Sequence, residues 1–184
     1  MDLSPFGHEQ ARKLAEYLRR TPFDAIYASP MKRVQQTVEK LFVTQSARPV
    51  FLDDLREVDF GAWTGLTWED VKARFGISAF QWLDQLERGL MAGAESVAGF
   101  RERVERALRE MLQAVPGRSI GVVCHGGVIR MALSILLDIP LVKMSGFDID
   151  YASLTVVDCF PHKKEVQLLN FAPWRDIAEP QMIN

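Results

Sequence analysis

The chain has 184 residues, 48% of them hydrophobic, and a formal net charge of −2. One domain of this length buries roughly 70% of its unfolded surface, so its core needs neither a metal nor a disulfide. The charge supplies no basic field for nucleic acid, and two cysteines, Cys124 and Cys159, are too few for a disulfide scaffold and fit a reducing cytoplasm.

The first residues, MDLSPFGHEQ, are polar and do not read as a secretory leader. Residues 4–20 predict a helix: Ser4 can cap it, Pro5 suits its first position, and Ala11, Leu14, Ala15 and Leu18 form one apolar face. Residues 23–30 predict a short strand stopped by Pro30, and residues 31–43 a helix with Val34, Val38 and Leu41 on one side. A further strand is expected over 49–55. Residues 59–93 are richer in Gly and Trp and read as an insertion with one or two short helices.

Residues 95–115 predict a long amphipathic helix that turns Phe100, Val104, Leu108 and Leu112 inward. Residues 119–124 read as a buried strand and 127–138 as a buried helix. A hairpin is expected over 151–160 and 165–171, across PHKK. The longest apolar runs, such as MALSILL, are too short to span a bilayer. Helices alternating with apolar strands indicate an α/β layer protein.

Three turns carry residues able to do chemistry. In VVCHGGVIRM a strand ends at Cys124, and His125-Gly126-Gly127 leads into a helix. The free N–H groups of a helix start favour an anion, and glycines let that backbone approach it. In YASPMKRVQQT, Arg33 sits early in a helix after a strand, where its fork can face phosphate. In LREVDFGAWTG, Glu57 follows a strand and precedes a glycine-bounded turn, a place for a general acid. Taken singly, each also fits a structural role: a satisfied histidine, a solvated arginine, a surface carboxylate.

Cys124 and Arg130 also have the Cys-x5-Arg spacing of cysteine phosphatases, in which a thiolate at a helix start attacks phosphate. Against that reading, Val123 precedes the cysteine and Met131 follows the arginine, where His and Ser or Thr are usual. His125 has no second His, Cys or Asp at ligand spacing other than the adjacent Cys124, so no metal cluster is read.

Five segments, LSPFGHEQA, IYASPMKRVQQT, LREVDFGAWTG, GAESVAGFRERV and VVCHGGVIR, keep one order over nearly the whole chain. In that order they resemble the histidine phosphatase superfamily, the phosphoglycerate-mutase-like proteins. The stretch DIDYASLTVVD and the compact length look most like the small branch, the alpha-ribazole and broad-specificity phosphatases. The resemblance implies one domain over 1–184, built as a three-layer α/β/α sandwich on a mostly parallel sheet. It implies a helical cap over about 62–100, walled by Trp63, Trp68, Phe80 and Trp82, residues that fit core packing equally well.

The implied activity is hydrolysis of a small phosphomonoester, with no metal or organic cofactor, in the cytoplasm, and with neither nucleic acid nor a membrane as partner. Arg33, His125 and Gly126 would bind the phosphoryl group, Glu57 would protonate the leaving oxygen, and Gly127 would shape the turn. The family's nucleophile is the histidine of an Arg-His-Gly motif on a strand inside the sheet. These 184 residues contain no such motif, and their other histidines, His8 and His162, are expected in solvent. Losing a nucleophile costs several orders of magnitude in rate. Three explanations stay open: a start assigned too late, a phosphate-binding pseudo-enzyme, or a gap filled by another segment or a second copy in a homodimer.

Overall fold

The computed structural model describes residues 1–41 and 47–177, apart from the Phe80 side chain, one of the expected cap walls. The end of the helix expected over 31–43 therefore lies outside the described residues. Helix α1 covers Pro5–Leu18 and starts as its sequence requires, with the Ser4 hydroxyl accepting from the Gly7 amide and Pro5 in the first turn. Strand β1 (Ala25–Ala28) leads through Ser29 and Pro30 into α2 (Lys32–Leu41), and β2 (Pro49–Phe51) follows. A 3-10 turn at Asp53–Leu55 takes the place of the end of the strand expected over 49–55.

Residues 61–95 hold short elements, including α3 (Trp68–Phe75) and α4 (Trp82–Glu87). Their two ends meet. The Ala62 amide donates to Ala92 O at 2.9 Å, and Gly61 has φ +53°, where a Cβ would lie 2.3 Å from that oxygen. Only glycine fits such a contact in the left-handed region. Helix α5 (Val97–Ala114), β3 (Ile120–Val123), α6 (Gly126–Leu137), the hairpin β4 (Leu154–Cys159) and β5 (Lys164–Phe171), and the single turn α7 (Pro173–Asp176) complete the described chain.

The architecture is α/β. Strands β2, β1 and β3 form a parallel sheet in that order, with Ile26 opposite Pro49 on one side and Gly121 on the other. Strands β4 and β5 pair antiparallel as a separate sheet. Among the described residues, β3 and β4 each keep one edge without a strand partner. Helix α1 packs against α2 and α7, and α5 packs against α6.

The main core gathers Phe100, Val104 and Met111 of α5 with Val128 and Met131 of α6, Leu55 and Trp82. Burying such side chains stabilises by roughly 1.5–3 kcal/mol each. A smaller cluster joins Leu14 and Leu18 of α1 to Leu41 of α2 and Val123 of β3.

Two sequence expectations need correction. In α5 the buried positions are Phe100, Val104, Ala107 and Met111, while Leu108 is half-buried and Leu112 is 38% exposed. Successive steps of four overshoot a 3.6-residue turn by about 40° each, so the stripe moves back one residue by the second turn. Strand β3 is also less buried than its composition suggests, since Val122 is 42% exposed.

Candidate active site

The parallel strands bring the three sequence candidates to one end of the sheet. At the end of β1 the Ser29 amide donates to Val123 O at 2.9 Å, which ties that turn to β3. The Ser29 hydroxyl accepts from the Met31 amide at 3.3 Å and helps turn the chain into α2. Arg33 lies in the first turn of that helix. Across the gap, His125 is the residue before α6 and has extended backbone, so its imidazole faces the β1 turn.

The imidazole is held at both nitrogens. Arg33 Nη2 donates to His125 Nδ1 at 3.0 Å, and His125 Nε2 lies 2.8 Å from Ser29 Oγ. A guanidinium can only donate, so Nδ1 accepts and Nε2 carries the proton. Burial, and then the nearby Arg33 cation, push the imidazole pKa down to about 3. The ring is neutral at pH 7.

Glu57 faces the same helix start. Its Oε1 accepts from its neighbour's amide, Val58, at 3.0 Å, and its Oε2 from the Gly127 amide at 3.2 Å. A Cβ on Gly127 would lie 2.3 Å from Glu57 Oε1 and 3.4 Å from Trp82 Cη2. Glycine is required there because the carboxyl group occupies the space of a side chain. Burial pushes the Glu57 carboxyl above its ordinary value, against the two amides and the Arg33 and Arg103 cations, which act the other way. A carboxyl so placed holds a proton to higher pH than an exposed one.

Sequence reasoning missed the support of this acid. Arg103 of α5 donates through Nη1 to Asp54 O and Arg56 O, both at 2.7 Å, and through Nε and Nη2 to Glu95 at 2.7 and 2.8 Å. It also missed Ser29. The Ser-Pro at the strand end was a visible signal for Ser29, and GAESVAGFRERV was the only one for Glu95 and Arg103.

Of the aromatics expected to wall a cap, Trp82 reaches the site beside Gly127. Trp63 is buried against Phe75, and Trp68 is exposed against Phe60.

One further expectation comes out differently. His162 is exposed, but His8 is half-buried, and its Nδ1 is buried with no hydrogen bond among the described residues. Cys124 and Arg130 do not form a thiolate loop. Burial pushes the thiol up to about 12, and Arg130 donates to Gly126 O and Phe147 O at 3.3 and 3.0 Å. Gly126 abuts that guanidinium, since a Cβ there would lie 3.2 Å from Arg130 Nη1. Among the described residues no group of three or more His, Cys, Asp and Glu could hold a metal, and no helix is long and apolar enough to cross a membrane.

A guanidinium, a neutral imidazole and a carboxyl with raised affinity for its proton thus gather at a helix start of an α/β protein, the kind of place where free backbone N–H groups favour an anion. The family model described as "Histidine phosphatase superfamily (branch 1)" matches residues 1–172, and the chain belongs to that superfamily.

Among curated proteins it is 30% identical over 169 residues to phosphoserine phosphatase 1 of Hydrogenobacter thermophilus, covering 92% of this chain and 80% of that protein. It is 25% identical over 169 residues to the adenosylcobalamin/alpha-ribazole phosphatase of Escherichia coli, covering 91% and 83%. Among solved structures, a mycobacterial glucosyl-3-phosphoglycerate phosphatase superposes with a TM-score of 0.81 at 24% identity, covering 94% of this chain and 89% of that one, and supports the fold. Relatives named phosphatases in this family make the chain an enzyme of phosphatase type by resemblance.

Proposed function

We propose that the chain is a phosphomonoester hydrolase acting on a small phosphorylated metabolite, with Arg33, His125 and the Gly126–Gly127 turn as the phosphoryl cradle and Glu57 as the acid. The observation that carries this is the direct contact of Arg33 with His125 opposite an acid seated on the Gly127 amide. A phosphoryl dianion entering there meets a cation that can turn its donors from Nδ1 to the anion. Its charge also opposes the nearby arginine cations that, after burial, hold the His125 pKa down, and so favours the protonated ring. Residues 62–100 form the cap in this reading, with Trp82 as the wall nearest the leaving group.

Among the described residues β3 has no strand on its outer edge, and it ends at this cradle. Covalent transfer through the family's Arg-His-Gly nucleophile would place that histidine on a strand paired with this edge, from the same polypeptide or from a second copy in a dimer. A second reading has its own support: among the described residues only His125 brings an imidazole to the site, which suits a phosphate-ester binder without turnover. Both cysteines are free, in keeping with a cytoplasmic setting.

Phosphate release from a panel of phosphomonoesters, run beside phosphate binding by calorimetry, tests these readings. Phosphoserine and alpha-ribazole phosphate belong in the panel because relatives carry those names. The hydrolase reading expects release that vanadate blocks, with affinity lowered about 10–100-fold by Arg33→Ala and by His125→Ala. Binding with that dependence and no release supports the second reading. Binding unchanged by both substitutions refutes the site.

A further inference from the structure

The acid at Glu57 stands on a turn rather than within a helix or strand, since the chain between the 3-10 segments Asp53–Leu55 and Gly61–Trp63 has no regular structure. Something must hold that turn if the carboxyl group is to stay in place. Asp54 and Arg56 before the acid present their carbonyl oxygens to one nitrogen, Arg103 Nη1, each at 2.7 Å. On the other side, the Glu95 amide donates to Asp59 O at 2.9 Å, and the Asp59 amide donates to Glu95 Oε2 at 3.4 Å. Glu95 is itself the bidentate partner of Arg103, and both side chains are largely buried. One ion pair, between Arg103 of α5 and Glu95 just before that helix, therefore grips the chain on both sides of Glu57.

We propose that Arg103, with Glu95, is a positioning residue that holds the Glu57 carboxyl against the Val58 and Gly127 amides and so aims its proton at the leaving oxygen. The proposal rests on the reading of Glu57 as the acid. The hydrogen bonds of Arg103 go to Glu95 and to the backbone of the turn, through which it holds the acid, while its charge also reaches Glu57 and His125. A planar fork is needed because three of its nitrogens are in use at once, which an ammonium cannot reproduce in that geometry. Its consequence is selective. A misplaced acid slows esters whose leaving alcohol needs a proton, and barely affects aryl esters that leave as stable anions.

The test uses the whole chain with Arg103→Met and Arg103→Lys, and reads amide exchange by NMR beside turnover. Exchange of the Val58 and Gly127 amides is expected to quicken at least ~10-fold in Arg103→Met, and less in Arg103→Lys, while the Ile26 amide in β1 is unchanged. Turnover of an alkyl phosphate is expected to fall ~10–100-fold at nearly constant KM, and that of 4-nitrophenyl phosphate less than ~3-fold. Unchanged exchange at Val58 and Gly127, or equal loss on both esters, overturns the proposal.

The two readings fail separately. If Glu57→Gln slows both esters alike, or if neither ester is turned over, the assigned acid falls and the exchange data alone decide whether Arg103 holds the turn. Should Arg103→Met fail to give a cooperative melt by circular dichroism, Arg103→Lys and Glu95→Gln carry the same comparison with smaller expected effects.

Discussion

Strands β1 and β4 are both apolar in composition, AIYA against LTVVDC, yet they fare differently. In β1, Ile26, Tyr27 and Ala28 are all buried; in β4 no residue is. The cause is company. Strand β1 has a strand on each edge, β2 and β3, and its residues pack into clusters with α2 and α5. Among the described residues, strand β4 pairs only with β5. Apolar composition makes a strand eligible for burial, and neighbours on its edges and faces supply it. Arg33, Glu57 and His125 all hang from the parallel-sheet half of the fold, from the chain just after β1, β2 and β3, because parallel strands deliver their carboxyl ends to one place. The β4–β5 hairpin supplies none.

The largest effect that would break this contrast lies in the core behind the site. Phe100 is fully buried among α5 and α6. Phe100→Ala is expected to cost about 3–5 kcal/mol in chemical denaturation. A cost below about 1 kcal/mol would mean that the half bearing the site is no better packed than the hairpin.

The next effect concerns acid. With its pKa near 3 when folded and near 6.5 when unfolded, His125 binds its proton in the unfolded chain first. Its neutral state therefore favours folding above pH 6.5, and stability is lost as pH falls from there toward 3. The loss reaches about 3 kcal/mol at pH 4, at about 1.4 kcal/mol per unit. Glu57 has the opposite sign, since its raised pKa favours the folded state at low pH and is lost as pH rises through it. Comparing His125→Asn with the parent chain from pH 7 to 4 isolates the imidazole: the parent should lose stability more steeply. Parallel curves would show that the ring is not buried beside Arg33.

Much of this was legible before any coordinates. Ser4 and Pro5 marked the start of α1, Pro30 the end of β1, and His125-Gly126-Gly127 the strand-to-helix turn, because caps and turns are written within a few residues. Arg33, Glu57 and His125 were individually ambiguous, and only their common order singled them out. What stayed hidden depends on long-range company. The grip of Arg103 on Asp54 spans 49 residues, and that of His125 on Ser29 spans 96. No local pattern reports either. The half-burial of His8 and the exposure of Leu112 and Val122 were likewise set by what packs alongside.

Gly127→Ala sharpens the contrast at the site itself. The new methyl group must displace the Glu57 carboxyl 2.3 Å away or move α6. A destabilisation of about 1–3 kcal/mol is expected, with loss of the Gly127 amide's bond to Glu57. Gly146→Ala, where a Cβ meets nothing within 4 Å, is the control and should stay within about 0.5 kcal/mol.

The smallest effect tests the boundary between the two halves. Val122 belongs to the strand that ends at His125, yet it is 42% exposed, while its neighbour Gly121 is buried against Phe23. If β3 has an open edge in solution, Val122→Thr should change stability by less than about 0.5 kcal/mol, like other exposed substitutions. A buried valine behaves otherwise, since introducing a hydroxyl without a partner costs about 1–3 kcal/mol. A cost in that upper range would mean that Val122 is covered in solution and that β3 is as enclosed as β1. The site would then sit inside a continuous sheet, and the contrast drawn between the two halves would fail at β3.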